Sequence, residues 1–283
     1  MATKAQVFKL YERGTRESYR QDAHLAMGGK VENAAIELLT NADDSYEVLE
    51  GKGQPSEGRI RIEIERRKKT ASIVRVADRA EGMSRDEMVE RLTRPGLNTS
   101  GRSKGSNVRG CLGRGAKDIA YFGAATFECI KDDRYACLEI NKYGEGRFRA
   151  DARGRDSLQC PTEIRERLGI ARAKTGTVVT VSVESLPVHQ FAWWHTTFRK
   201  HFQLRDILAD PRRQIEVVDK MTGRSEKLHY RYPEGEVIFD KVLDVAGYPN
   251  ARTHLTVSEH RQGKTRPVRM MSSSLHIGKQ ESS

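Results

Sequence analysis

A carboxylate, a carboxamide and a second carboxylate stand at i, i+4 and i+7 in one short segment: Glu37, Asn41 and Asp44. At helical pitch the three side chains fall in a narrow stripe. Val31, Ala35, Leu38, Leu39 and Ala42 fall on the opposite side. A solvent-facing helix would carry Lys or Arg four residues from such acids, but here Asn33 and Asn41 lie along the stripe instead. The pattern predicts a helix with one face in a core and the other lining a polar pocket. There a carboxylate above a carboxamide can handle a water molecule and a metal ion.

Three further segments carry candidate chemistry. Asp78-Arg79-Ala80-Glu81-Gly82-Met83 follows a strand pattern and places an acceptor-only side chain at its end. Gly110-Cys111-Leu112-Gly113-Arg114-Gly115-Ala116-Lys117 closes a loop with glycines at 96, 101, 105, 110 and 113. It is not a Walker P-loop, which needs Gly-Lys-Ser/Thr; here Ala116 separates Gly115 from Lys117, and Asp118 follows. Thr175-Gly176-Thr177 opens the apolar run 178–183.

The elements that position these residues are legible from periodicity. Helices are expected at 15–27 and 31–49, broken by Gly28-Gly29, and at 83–94, with Ser84 as N-cap and Glu87 three residues on. The strict alternation of 59–65 predicts a half-buried strand, followed by a second at 72–77. The glycine-rich loop leads into a helix at 115–122. Strands at 124–131 and 134–142 turn at Asp132-Asp133, and a short helix at 161–168 precedes the strand from Val178. Leu186-Pro187 reads as a domain boundary. Beyond it, 188–209 is an aromatic, basic helical stretch, read as an amphipathic helix packing on the first domain. Strands follow near 213–219, 226–232, 235–241 and 253–260.

The chain has 283 residues, 37% hydrophobic and 31% charged, enough for a sizeable core and two domains. No apolar run is long enough to span a bilayer, and the N-terminus lacks the apolar core of a secretion signal. The chain is therefore read as cytoplasmic, with no membrane partner. Cys111, Cys129, Cys137 and Cys160 form no C-x-x-C pair and are read as free thiols. A net charge of +11, from 50 basic and 39 acidic residues, favours anionic partners. Arg66-Arg67-Lys68-Lys69 and Arg212-Arg213 are read as solvated surface.

In their order and setting, the four segments resemble the GHKL ATPases, the superfamily of gyrase B, Hsp90, histidine kinases, MutL and MORC proteins. The resemblance covers roughly residues 20–184, and its lid is similar to those of Hsp90 and MORC. It implies an α+β fold: a two-layer α/β sandwich of the Bergerat ATP-binding type over 1–185, with a lid at about 94–115. A smaller, strand-rich, partial transducer-like domain over 186–283 would follow. It implies ATP and Mg²⁺ as cofactors. Glu37 would polarise the attacking water, Asn41 would bind Mg²⁺, and Asp44 would support that shell. Asp78 would accept from the adenine 6-amino group, with Gly82 turning close to the base and Met83 packing beside it. Gly110, Gly113, Arg114 and Gly115 would bring backbone N–H groups to phosphate, with Lys117 adding charge. Thr177 would support the network beneath Asp78. Ala80 departs from the family's D-x-G-x-G, and its β-carbon is expected to crowd the base or the loop.

The function expected is a slow ATPase acting as a conformational or dimerisation switch, with ATP ordering the lid and favouring a homodimer. A MORC-like action on DNA, toward which the charge tilts, and an Hsp90-like chaperone role are two outputs of that switch. A non-catalytic ATP-sensing assembly module is the alternative that Ala80 supports.

Overall fold

The computed structural model describes residues 7–10, 15–93, 115–151, 154–172, 174–184, 186–230, 235–260 and 268–277. The chain begins with β1 (Val7–Lys9), α1 (Arg16–Met27) and α2 (Val31–Gly51), then β2 (Arg59–Glu65), β3 (Ser72–Asp78) and α3 (Arg85–Leu92). From Gly115 onward come α4 (Gly115–Asp118), β4 (Gly123–Lys131), β5 (Arg134–Asn141), β6 (Glu145–Phe148), β7 (Leu158–Gln159), α5 (Thr162–Leu168) and β8 (Gly176–Val183). The remainder is α6 (Phe191–Lys200), α7 (Arg205–Ala209), β9 (Gln214–Asp219), β10 (Ser225–Lys227), β11 (Glu236–Val245), β12 (Tyr248–His260) and β13 (Val268–Ile277).

Local chemistry accounts for the boundaries. Thr15 and Ser18 close a capping box on α1, and Ser84 and Glu87 close one on α3. Asp132 and Asp133 take positive φ (49° and 60°), which turns β4 directly into β5. Two expected helices are shorter than the pattern implies. After α4 the chain tightens into a 3-10 turn, Ile119–Phe122, because β4 begins at Gly123. The stretch 188–209 breaks where His201 goes extended (φ −74°, ψ 124°), separating α6 from α7.

The strands form two sheets. The larger runs β1-β6-β5-β4-β8-β3-β2-β9-β10, with β7 beside β5. Among these strands every pairing is antiparallel except β2 with β9. One face supplies Ile60, Ile62, Ile64, Val74, Val76, Phe127, Val179 and Val181 to the main core. Helices cover that face with Tyr19, Leu38, Leu39, Met88, Trp194 and Phe198. On the other face, α5 caps a smaller cluster of Ile130, Tyr135, Cys137, Leu168 and Val178. Elsewhere that face is polar: Glu63, Arg75, Thr180, Thr126, Glu139 and Arg147 stand in register from strand to strand. This row gives a further layer nothing apolar to bury against, and the sandwich has two layers.

Past Leu186-Pro187 the chain continues on the same sheet. Trp194 and Phe198 are fully buried in the main core, and β9 lies against β2. The aromatic helix therefore packs as its amphipathic pattern implies. The second sheet, β11-β12-β13, is antiparallel throughout. Among the described residues no helix is long and apolar enough to cross a membrane. Cys129, Cys137 and Cys160 are free and buried.

Candidate functional site

α2 is the spine of the site. Val31, Ala35, Leu38, Leu39 and Ala42 are buried on its core side, as the sequence pattern predicts. Glu37 and Asn41 are half-buried, and Asn41 Nδ2 donates to Glu37 Oε1 at 3.3 Å. That donation points the amide oxygen of Asn41 away from the carboxylate. Burial raises the Glu37 carboxyl above its usual range, with the Asn41 bond pulling the other way. Asp44, one turn further, is buried.

Gly115, at the start of α4, meets Glu37 directly. A β-carbon on Gly115 would lie 2.0 Å from Glu37 Oε1, so any side chain there would displace the carboxylate. Ala116 packs against the main core, and Lys117 is only 2% exposed, with its carbonyl accepting from Tyr19 Oη at 2.9 Å. Gly110, Gly113 and Arg114, like Cys111, lie outside the described residues.

A second group of candidate residues stands at the end of β3. Asp78 is buried, and its Oδ1 accepts from the backbone N–H of Ala80 (2.9 Å) and of Thr177 (3.2 Å). Among the described residues no donor reaches Oδ2. Burial pushes the Asp78 carboxyl up to about 6, although both amides and the Arg79 charge pull it down. Thr177 thus meets Asp78 through its backbone, while its hydroxyl accepts from Cys129 Sγ (3.7 Å). Gly82 has φ +68°, and a β-carbon on it would come within 2.3 Å of the Ile130 carbonyl. Close approach of two backbones is enough to require this glycine. Met83 packs part-buried against the core. The Ala80 methyl is fully buried in that core, so it fills a packing position.

Two residues absent from the sequence reading join these groups. Tyr46 Oη donates to the Arg59 carbonyl (2.7 Å) and accepts from the Arg79 N–H (2.8 Å). Ser45 Oγ accepts from the Glu81 N–H (3.3 Å). Both follow Asp44 on α2, so one helix carries the Glu37 pair and fixes the loop after Asp78. Their signal was present only as helix register, because a tyrosine on a core-facing stripe reads as packing. Lys131 completes the loop's setting, bridging Glu81 (3.3 Å) and Glu87 (2.7 Å).

The basic clusters divide. Arg66 to Lys69 are exposed, as expected of solvated surface. Arg213 is not: its side chain has no exposure and sits among Asp43, Glu47 and Glu50. The solvated reading of Arg213 is corrected by these acids, which α2 presents at helical spacing from a face the sequence left unassigned.

A buried aspartate at a strand end and a helix carrying a paired carboxylate and carboxamide thus stand on one two-layer sandwich. No protein-family model matches the chain, and no curated protein matches it. Solved structures do. The 43K ATPase domain of Thermus thermophilus gyrase B, crystallised in complex with an aminocoumarin, is similar with a TM-score of 0.50 at 16% identity. The match covers 86% of this chain and 62% of that one, so this chain spans less than two thirds of its neighbour's length. At that identity the likeness speaks for the fold, and the chain has the GHKL fold.

Proposed function

We propose that this chain binds ATP with Mg²⁺ between α2 and the end of β3 and hydrolyses it slowly, as a conformational or dimerisation switch. The observation that carries the reading is the state of Asp78. One carboxylate oxygen is saturated by two backbone amides, and the other has no donor among the described residues. An acceptor held so rigidly suits the adenine 6-amino donor and rejects guanine, which has an acceptor there. Gly82 and Met83 line this base side.

The other end of the site suits phosphate chemistry. A carboxylate raised by burial is a better proton acceptor near neutral pH than an ordinary one, so Glu37 suits the role of base toward a water. Asn41 donates one N–H of its amide to Glu37, which leaves its oxygen for a cation. Mg²⁺ takes few protein ligands and keeps water and phosphate oxygens, and one neutral amide oxygen with Asp44 nearby fits that demand. Bound there, Mg²⁺ would offset phosphate charge. Gly110, Gly113, Arg114 and Gly115 are assigned to phosphate contact, with Lys117 adding charge and Thr177 supporting the network beneath Asp78. The ATP-binding unit is assigned to 1–185 and the second unit to 186–283, with β9 and β10 of the latter joining the first sheet.

The test is direct. Mg²⁺ with ADP or a non-hydrolysable ATP analogue should raise the melting temperature, and the guanine analogues should not. A chain that melts identically with and without adenine nucleotides does not have this function. Binding without phosphate release, even at high protein concentration, would select the ATP-sensing module. A net charge of +11 favours DNA over a chaperone client as the output. Duplex binding that weakens steeply with salt and strengthens with ATP would support the MORC-like form.

A further inference from the structure

The corner between α7 and β9 holds α2 by an ionic clasp. Arg213 Nε donates to Asp43 Oδ1 (2.6 Å), Nη1 to Glu50 Oε1 (2.6 Å), and Nη2 to Glu47 Oε1 (3.2 Å). Its guanidinium carbon lies 5.2 Å from the centre of the Tyr46 ring. Arg212 reinforces the corner through Glu47 (2.9 Å), Glu50 (2.5 Å) and its own neighbour Asp210 (2.6 Å). Burial alone would raise Glu50, but hydrogen bonds from Arg213 and Ser56 and the two arginine charges hold it below the usual carboxylate range.

What Arg213 grips is the part of α2 that fixes the base wall. Tyr46, beneath the guanidinium, is the residue whose hydroxyl receives the Arg79 N–H next to Asp78. The same corner also reaches the second sheet, because Arg205 at the start of α7 bonds Thr256 Oγ1 (2.9 Å) and the His254 ring (2.9 Å) on β12. Asp240 on β11 completes that contact by accepting from Thr256 Oγ1 (2.8 Å). The Asp78 loop, by way of Tyr46, and the second sheet, by way of Arg205, are therefore tied to the two ends of one short segment, 205–213.

We infer that Arg213 is a positioning residue for the nucleotide site, linking the occupancy of the Asp78 wall to the α7–β9 corner and through it to the second sheet. The inference rests on the nucleotide reading proposed above. Linkage is reciprocal: a base seated on Asp78 stabilises the corner, and a loosened corner weakens the seat. A fork of five donors suits a three-carboxylate socket, and a lysine ammonium cannot reproduce it.

Hydrogen–deuterium exchange on the full chain, with and without ADP and Mg²⁺, tests this. Slower exchange is expected at 76–83 and also at 205–219. Protection at 76–83 with none at 205–219 would overturn the inference while leaving nucleotide binding intact. If ADP protects neither segment, the nucleotide reading falls and the inference with it. In Arg213→Lys, ADP affinity should fall about tenfold, an ordinary coupling between sites, and the loss should fall on affinity rather than on the single-turnover rate at saturation. A lower melting temperature with unchanged ADP affinity would make Arg213 a structural residue only.

Discussion

The two halves of α2 are held in opposite ways. The C-terminal half is tied to two distant segments: Ser45 and Tyr46 hold the loop after Asp78, and Asp43, Glu47 and Glu50 grip Arg213. The N-terminal half presents Glu37 and Asn41, joined to each other at 3.3 Å, with Gly115 of α4 against Glu37. Under the proposed function, the base is recognised by a wall set before binding. The residues for chemistry are completed from a neighbouring segment. A switch needs such an asymmetry, with an anchor that does not move and a reactive end that does.

The sharpest test of the asymmetry is Glu37→Ala. Hydrolysis should fall about a hundred- to ten-thousandfold, as for loss of a general base, while ADP affinity stays near that of the native chain. Equal loss of both would put Glu37 on the binding wall and erase the distinction. The acid limb of the native pH–rate profile should also lie above the ordinary carboxylate range, because burial raises Glu37.

Asp78→Asn probes the fixed end. Its remaining carbonyl oxygen can still accept both backbone amides, but the NH₂ then faces the adenine amino group, donor against donor. Affinity should fall about tenfold to a hundredfold, as read by nucleotide titration. Stability should move the other way. An unfolded aspartate loses its proton near 3.9, whereas the folded Asp78 keeps it to about 6. Below the first value both states are protonated and the group is neutral toward folding. Above the second, the folded state carries the full cost of a buried charge, about 3 kcal/mol. The variant escapes that cost, so its melting temperature should gain on the native chain as pH rises from 4 to 7. No gain would mean that Asp78 ionises freely.

Gly115→Ala places a methyl where the Glu37 carboxylate lies. Turnover should drop about tenfold through misplacement of the base, with affinity little changed. The smallest effect is expected for Ala80→Gly. It restores the family's glycine but deletes a buried methyl, costing about 1 kcal/mol. Chemical denaturation would read that loss, and tighter ADP binding in this variant would mean that Ala80 crowds the base after all.

The sequence made the reactive end of α2 legible and hid most of its anchor. Glu37, Asn41 and the apolar face obey one helical period, and Asp78 stands at the end of an alternating strand. Both signals are local, and both elements were found. Tyr46 and Arg213 act through partners far along the chain, and no spacing rule links residue 46 to residue 79 or residue 213 to residue 43. The solvated reading of Arg213 failed for the same reason, since a paired arginine and a solvated one look alike in sequence. The break at His201 carries neither Gly nor Pro, and β1, β6 and β7 are too short for alternation to register.

The parallel seam between β2 and β9 has a consequence for biosynthesis. The strand carrying Ile60, Ile62 and Ile64 emerges early, yet the neighbour that covers its outer edge is translated more than a hundred residues later. Until then the nascent chain offers a bare β-edge next to three acids whose counter-charge has not been made. A protein cut at residue 185 would keep that edge for good, and such edges recruit other chains. Excising the first 185 residues should therefore yield aggregates, and ending the piece at Tyr230 should yield a dispersed, folded protein.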